Sequence, residues 1–218
     1  MKMLDVPQSG SLAGQTSSRN RYGQYRRTRA IPVNPNSSFQ VAARGRLNTL
    51  SAGYRALTTD QQENWIALGA LMTRTDSLGQ TYDLTGLQAY VAVNSLNLAA
   101  GNASDPDAPV FAGVDPLATA TITATTAAHS IAYTVTPLAA GVRLFVYASP
   151  QRSAGRAFES DYRLVAVSAA AAASPLDIET AYQARFGALV AGYRVFYKLQ
   201  AYENGFLSAA LDTSKVVS

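Results

Sequence analysis

Residues 19–40 read RNRYGQYRRTRAIPVNPNSSFQ, with arginines interleaved among Tyr22, Gly23 and Tyr25 before the chain breaks at Pro32 and Pro35. No apolar repeat of period 2 or 3.6 runs across the arginines, so we predict that this segment buries no face of its own. Its side chains need an outside partner, which would be phosphate, carboxylates or the backbone of a neighbouring subunit. The sequence therefore indicates assembly rather than a reaction.

Seven residues of this segment form the candidate partner-binding site: Arg19, Arg21, Tyr22, Tyr25, Arg26, Arg27 and Arg29. Arginine interleaved with tyrosine suits phosphate contacts and base stacking. It suits equally a subunit interface, where both residue types are common energetic anchors, or an arm that adds a strand to a neighbour's sheet. Residues 22–31 are expected to form one or two short edge strands, with a solvated basic loop as the alternative.

The charge of the chain is unevenly distributed. The net charge of +4 combines +7 over residues 1–60, where nine Lys and Arg face two acids, with −3 over residues 61–218. A basic arm on a slightly acidic body can bind nucleic acid or the acidic body of another copy of the chain. The 48% apolar and 15% charged content is typical of a globular protein.

Several classes of protein are disfavoured by composition. The chain contains no cysteine, which excludes disulfides, a thiolate nucleophile and a cysteine-ligated metal. Neither a secretory leader nor an apolar run near 18 residues is found, so we expect no membrane span and no export through general secretion. We expect the protein to be made in the host cytoplasm.

The first half of the chain is predicted to be an arm followed by a helical unit. The arm covers residues 1–35, of which residues 1–18 read as a flexible lead-in. The unit, residues 36–101, holds three helices and a hairpin over residues 73–84. The second helix is expected to be capped by Thr58 or Thr59 and the third by Thr85. The predicted buried stripe of its first helix is Phe39, Ala43, Leu47, Leu50, Tyr54 and Leu57.

The second half changes to alternating β patterns after a linker at residues 102–117. Residues 118–218 are predicted to form a seven-stranded antiparallel β-sandwich, with an Asn204-Gly205 turn in the last hairpin. The predicted strands are residues 120–126, 130–136, 142–149, 162–168, 176–179, 193–202 and 207–216. The predicted fold class is therefore α+β with two domains and an extended basic N-terminal arm.

Short motifs across residues 10–101 resemble a group of phage proteins. The motifs are RNRYGQY at residues 19–25, PVNPN at residues 32–36, ALTTDQQ at residues 56–62 followed by Trp65, and Gly79 with Thr85-Gly86. The resemblance is to uncharacterised proteins encoded among the virion structural genes of tailed phages and prophages. The second half looks like the fibronectin type III and immunoglobulin-like sandwiches that such proteins often append. The resemblance implies a virion component and no site chemistry.

The residues that could support catalysis or metal binding favour structural roles instead. His129, the one histidine, is predicted to lie at a surface or in a turn. Asp105, Asp107 and Asp115 lack the glycine and final glutamate of a calcium loop, so an acidic linker turn is the better interpretation. No P-loop, dinucleotide-binding or nucleophile-elbow motif occurs. We expect no enzymatic activity, no cofactor and no metal.

The favoured hypothesis is a non-enzymatic virion structural protein that forms a homo-oligomer and docks on other virion proteins. Its arm and helical unit would hold it on the particle, with head decoration or cement favoured over the neck or tail. One alternative is a nucleic-acid-binding protein that uses residues 19–55, including Arg44, Arg46 and Arg55. Another is a host-surface adhesin that uses the sandwich.

Overall fold

The computed structural model describes residues 8–134 and 138–218, and within these ranges the chain is an α+β protein with antiparallel sheets. Its four helices there are α1 (Ser38–Arg55), α2 (Thr59–Leu71), α3 (Gly86–Ala99) and α4 (Glu179–Phe186). The strands are β1 (Gly10–Leu12), β2 (Gln15–Asn20), β3 (Gly23–Thr28), β4 (Thr73–Thr75), β5 (Thr81–Asp83), β6 (Ala120–Ala124), β7 (His129–Tyr133), β8 (Arg143–Ala148), β9 (Arg152–Ser153), β10 (Arg163–Val167), β11 (Leu176–Asp177), β12 (Tyr193–Glu203), β13 (Phe206–Leu207) and β14 (Leu211–Val216). The predicted combination of helices and antiparallel strands is confirmed.

The chain divides into two compact units, Met1–Ala43 and Arg44–Ser218. The described part of the first unit contains the sheet β1-β2-β3 and the start of α1. The prediction of a flexible lead-in is wrong for residues 10–18, because β1 and β2 lie there and pair with each other. A tight turn at Ala13, whose φ is 49°, and a 2.9 Å hydrogen bond between the Ser11 and Thr16 hydroxyls hold this pairing. The rest of that lead-in, residues 1–7, lies outside the described residues.

Local sequence signals position the helices at the start of the second unit. Thr58 and Thr85 each form a capping box, with Gln61 and Gln88 respectively, so both predicted helix starts are confirmed. The β4–β5 hairpin also forms as predicted. Trp65 is fully buried in an apolar cluster of this region, where its ring lies edge-on to Tyr90 with centroids 5.1 Å apart.

The predicted buried stripe of α1 is wrong over its first three turns. Phe39 and Leu47 are 65% and 54% exposed, whereas Leu50 is buried and Tyr54 is half-buried. The helical period is present, and its C-terminal part packs in one apolar cluster with Trp65 and Tyr90. Periodicity in a sequence indicates a helical face and does not show that the face is covered.

Two antiparallel sheets of residues 118–218 share one apolar cluster. One sheet has the strand order β11-β7-β6. In the other sheet β12 pairs with β8, β9, β13 and β14, and β8 also pairs with β10. Alternate residues of the central strands enter the shared cluster, as expected for half-buried strands. The members from β6, β7, β8 and β12 are Ile122, Ala124, Ile131, Tyr133, Leu144, Val146, Ala148, Val195, Tyr197 and Leu199.

Two details of the predicted strands differ from the structure, and a third lies outside the described residues. The strand expected at residues 176–179 ends at Asp177, because the chain then turns into α4, which the sequence analysis missed. The strand expected at residues 207–216 is divided into β13 and β14, since Ser208 Oγ accepts from the Ala201 backbone and donates to the Ala209 carbonyl at the break. Of the predicted strand 130–136, residues 135–136 lie outside the described residues.

Helix α3 packs on the turn between β12 and β13. Asn204 and Gly205 have φ of 47° and 86°, so the predicted two-residue turn is confirmed. The Cα of Gly205 lies so close to α3 that an added Cβ would overlap Val93 Cγ1. Near it the Tyr202 hydroxyl donates to Asn97 Oδ1 at 2.6 Å. These contacts cover the sheet on the face opposite the shared cluster.

This close approach predicts a stability difference between two glycine variants. Gly205→Ala adds backbone strain at positive φ and a clash with Val93, and it should lower the free energy of unfolding by about 3 kcal/mol. Gly101→Ala, also at positive φ but with open space at the Cβ position, is the matched control and should cost only about 1 kcal/mol. Urea denaturation measures both values, and equal losses would contradict the proposed packing.

Candidate interaction surface

The predicted partner-binding residues lie on the β2–β3 hairpin and just beyond it. Asn20 pairs with Gly23, so Arg21 and Tyr22 form the two-residue tip. The Asn20 side chain accepts the backbone N–H of Tyr22 at 2.9 Å, and Gly23 takes a φ of 112° to close the turn. Arg29 follows the hairpin and donates its backbone N–H to the Gly14 carbonyl at 2.8 Å.

Strand alternation places the predicted site residues on two faces of the hairpin. Arg19 pairs with Gln24 on one face, and Arg26 lies on that same face beside the Gln8 side chain, which accepts from its guanidinium. Tyr25 and Arg27 point to the opposite face. The structure therefore does not bring the seven residues into a single patch. Such a hairpin offers positive charge to partners on both sides and at its tip.

The first unit has no apolar cluster of its own among its described residues. The three clusters of buried apolar side chains contain no residue before Leu50 in the described chain. Residues 30–49 are exposed throughout, including the first three turns of α1. Residues 8–43 also carry five arginines and no acid. This combination of charge and exposure is typical of a surface that is completed by a partner.

Sequence reasoning missed a second surface, a groove of about 510 Å³ in the second unit that is lined by both apolar and polar side chains. It is lined by the end of α2, one side of α3, the segment around Phe111, and the β12–β13 hairpin. Leu71 and Phe111 in this groove are 60% and 49% exposed. A linker was predicted for residues 102–117, and Phe111 was not singled out because an isolated aromatic residue in a turn-rich segment has no periodicity.

His129 is a core residue, so the prediction that it lies at a surface or in a turn is wrong. Its side chain is 1% exposed, and its Nε2 shares a 2.6 Å hydrogen bond with the Tyr197 hydroxyl. Tyr182 contacts the ring edge-on and donates its hydroxyl to the Ser149 carbonyl. Burial lowers the pKa of His129 to about 4, and the nearby Asp177 carboxylate opposes this shift. The imidazole is therefore neutral at pH 7.

Glu159 and Asp161 do not form a catalytic pair. Glu159 is 2% exposed, and its carboxylate accepts the backbone N–H groups of Ser160 and Asp161 as well as the Arg152 guanidinium. The two backbone donors are the main reason that the pKa of Glu159 is lowered to about 2, with Arg152 assisting. A carboxylate held in its charged form in this way fixes a loop and is poorly suited to proton transfer.

The acidic segment after α3 is held in place by side chains of α2 and α3. Asn94 Oδ1 accepts the Asp105 backbone N–H at 2.6 Å, and the Trp65 indole donates to the Pro106 carbonyl at 2.8 Å. Gln61 donates to the Asp107 carboxylate at 2.9 Å. In the part of the chain that the structure describes, no cluster of metal-ligating side chains occurs. These contacts agree with the predicted acidic turn.

Comparison with known proteins gave no match to any family model, curated protein or solved structure. Over residues 8–134 and 138–218, no helix is long and apolar enough to cross a membrane.

The buried His129 predicts a pH dependence of stability. The folded protein keeps this group neutral down to about pH 4, whereas the unfolded chain binds a proton near pH 6.5, so stability should fall as the pH is lowered between these values. The loss that His129 alone causes should reach about 3 kcal/mol. His129→Gln retains polar groups for Tyr197 but does not titrate, and serves as the control. Denaturation at several pH values should show that the wild type loses free energy of unfolding relative to this variant as the pH falls. A difference in free energy of unfolding that stays constant with pH would contradict the assignment.

Proposed function

We propose that this protein is a non-enzymatic structural protein of a tailed-phage particle that docks through its N-terminal arm and helical unit. Decoration or cementing of the head is favoured over a place in the neck or tail. The observation that carries the proposal is the first unit, whose described residues combine five arginines, no acid and no buried apolar cluster. The phage context comes from the resemblance of residues 10–101 to virion structural proteins.

A partner is needed because the first unit cannot stabilise itself by burial. Its sheet has three strands of three to six residues, and its apolar side chains Leu12, Ile31 and Val33 are 85%, 77% and 89% exposed. Small sheets without a buried face are marginal in water. An interface of standard size would supply the missing burial, with arginine and tyrosine as anchors. This supports assembly as the role of the arm.

Two buried side chains of types that often serve in catalysis have structural roles, which supports a non-enzymatic function. His129 is neutral and hydrogen-bonded to Tyr197 inside the core. Glu159 is held as a carboxylate by backbone N–H groups and Arg152. Neither side chain lines the groove around Phe111.

For residues 118–218 we propose an immunoglobulin-like sandwich of the fibronectin type III kind, forming a second domain that faces outward or contacts the next copy. The division of strands supports this assignment, since β6, β7 and β11 lie in one sheet and β8, β10, β12 and β14 in the other. Both sheets contribute to one apolar cluster, as in sandwiches generally. Helix α4, between β11 and β12, is an addition to that plan.

The first experiment measures how much of the chain is present in particles. Phage particles purified from the host that carries the gene should contain it, as detected by mass spectrometry. Arg27→Gln/Arg29→Gln should reduce incorporation by about tenfold, because exposed arginines on the arm are expected anchors. Arg163→Gln/Lys215→Gln removes the same charge from exposed positions of the sheets and should leave incorporation unchanged. Absence of the wild-type chain from particles would refute the proposal.

Nucleic-acid binding is the second candidate function, favoured by the eight arginines without an acid over residues 8–57. Binding of the full chain to a duplex oligonucleotide, followed by fluorescence anisotropy, tests it. If arginines neutralise phosphates, a plot of the logarithm of the affinity against the logarithm of the salt concentration is a falling line. Its slope is about −0.9 for each phosphate that is neutralised. Because the arginines are divided between two hairpin faces, we expect weak binding with a slope of only about −2 to −3. A steeper slope would favour the nucleic-acid function.

A further inference from the structure

The groove around Phe111 in the second unit combines apolar and polar side chains, as protein-docking sites commonly do. Its apolar part includes Leu96, Phe206 and Leu207 together with the exposed Leu71 and Phe111. Phe111 packs edge-on against Phe206, with ring centroids 5.4 Å apart, which fixes the position of its ring. The apolar part of the groove can receive apolar side chains from another surface.

Two aspartates are neighbours of residues that line the groove. Asp83 is the register partner of Thr73, which lines the groove, and Asp115 directly follows the lining residue Val114. Both aspartates are exposed, and Arg74 is the one basic residue among the lining side chains. Residues 58–117 as a whole contain seven acids and one arginine. A partner that fits here should therefore be apolar at its centre and basic at its edge.

The start of α1 has the complementary pattern. Phe39, Ala43 and Leu47 follow one another at four-residue steps, so they lie on one helical stripe, and Phe39 and Leu47 are exposed. Arg44 and Arg46 lie at the two borders of this stripe. Residues 8–57 contain eight arginines and no acid. The stripe extends over about 12 Å of helix, which suits a small groove.

We infer that the α1 stripe of one copy of the chain docks into the groove around Phe111 of a second copy, next to Asp83 and Asp115. Charge complementarity selects this occupant, because the most basic segment of the chain would meet its most acidic segment. The groove and the stripe are different surfaces, so the contact is head-to-tail and repeats from copy to copy, closing into a ring or continuing as a lattice. The inference rests on the proposed function, in which arm and helical unit hold the protein in an assembly.

The absence of natural cysteine makes a direct test by cross-linking possible. Full-length chains carrying Phe39→Cys and Leu71→Cys, distinguished by a tag, are mixed at low salt and oxidised. A covalent heterodimer is the expected product. The control pairs Phe39→Cys with Val190→Cys, which is 52% exposed but does not line the groove. Equal yields from the two pairs would overturn the inference.

Charge exchange in the full chain tests the specificity of the contact. Arg44→Glu/Arg46→Glu should weaken self-association about tenfold by light scattering, and Asp83→Arg/Asp115→Arg should do the same. The chain with all four substitutions should return to within about threefold of the wild type, since each copy again presents opposite charges. If the fourfold variant instead shows the summed loss of self-association of the two double variants, the docking mode is overturned. Far-UV circular dichroism checks that these exposed substitutions leave the fold intact.

The results separate this inference from the proposed function. If the wild-type chain is present in particles but the Phe39→Cys and Leu71→Cys copies do not cross-link above the control, self-docking is refuted and the structural role stands. If they do cross-link but particles lack the chain, self-docking stands and the phage role is refuted. If self-association is absent and oligonucleotide binding depends steeply on salt, self-docking is refuted and α1 is assigned to nucleic acid.

Discussion

The contact between α3 and the β12–β13 turn is the constraint on which the rest of the second unit depends. Gly205 is required there because a side chain would overlap Val93, and Tyr202 donates a hydrogen bond to Asn97 across the same contact. Strand β12 pairs with β8, β9, β13 and β14, so a helix fixed on it is fixed on the whole larger sheet. The sheet is thereby buried on both faces, with the shared apolar cluster on one side and α3 on the other. Burial of this extent supplies most of the stability of a domain.

Burial and charge are distributed very differently in the two units. The second unit contains all three clusters of buried apolar side chains, while the described part of the first unit buries no apolar cluster. The charges also change sign along the chain, with arginines before residue 58 and mostly acids from there to residue 117. The same separation favours contact between copies, where opposite segments can meet.

What could be predicted from the sequence was the local structure. The capping boxes of α2 and α3 and the Asn204-Gly205 turn are specified by residues within a few positions of one another, and all three are confirmed. Predictions that depended on distant neighbours failed. The start of the α1 stripe was assigned to the core although Phe39 is exposed, and His129 was assigned to the surface although the rings of Tyr182 and Tyr197 pack against it. The candidate arginines were found by composition, but their division between two faces depends on strand register, which composition does not specify.

The edges of the two sheets carry features that disfavour strand pairing with another molecule. Strand β14 presents Asp212 and Lys215 on an outer edge, and β10 begins with Arg163, so a second sheet edge would meet charges. At the end of β6, an edge strand of the other sheet, Ser218 hydrogen-bonds to Ala124 and Thr126, which occupies backbone groups that an added strand would need. In the self-docking that we propose, the α1 stripe and the groove around Phe111 would take the place of such edges, and the charges beside them would set the direction in which copies join.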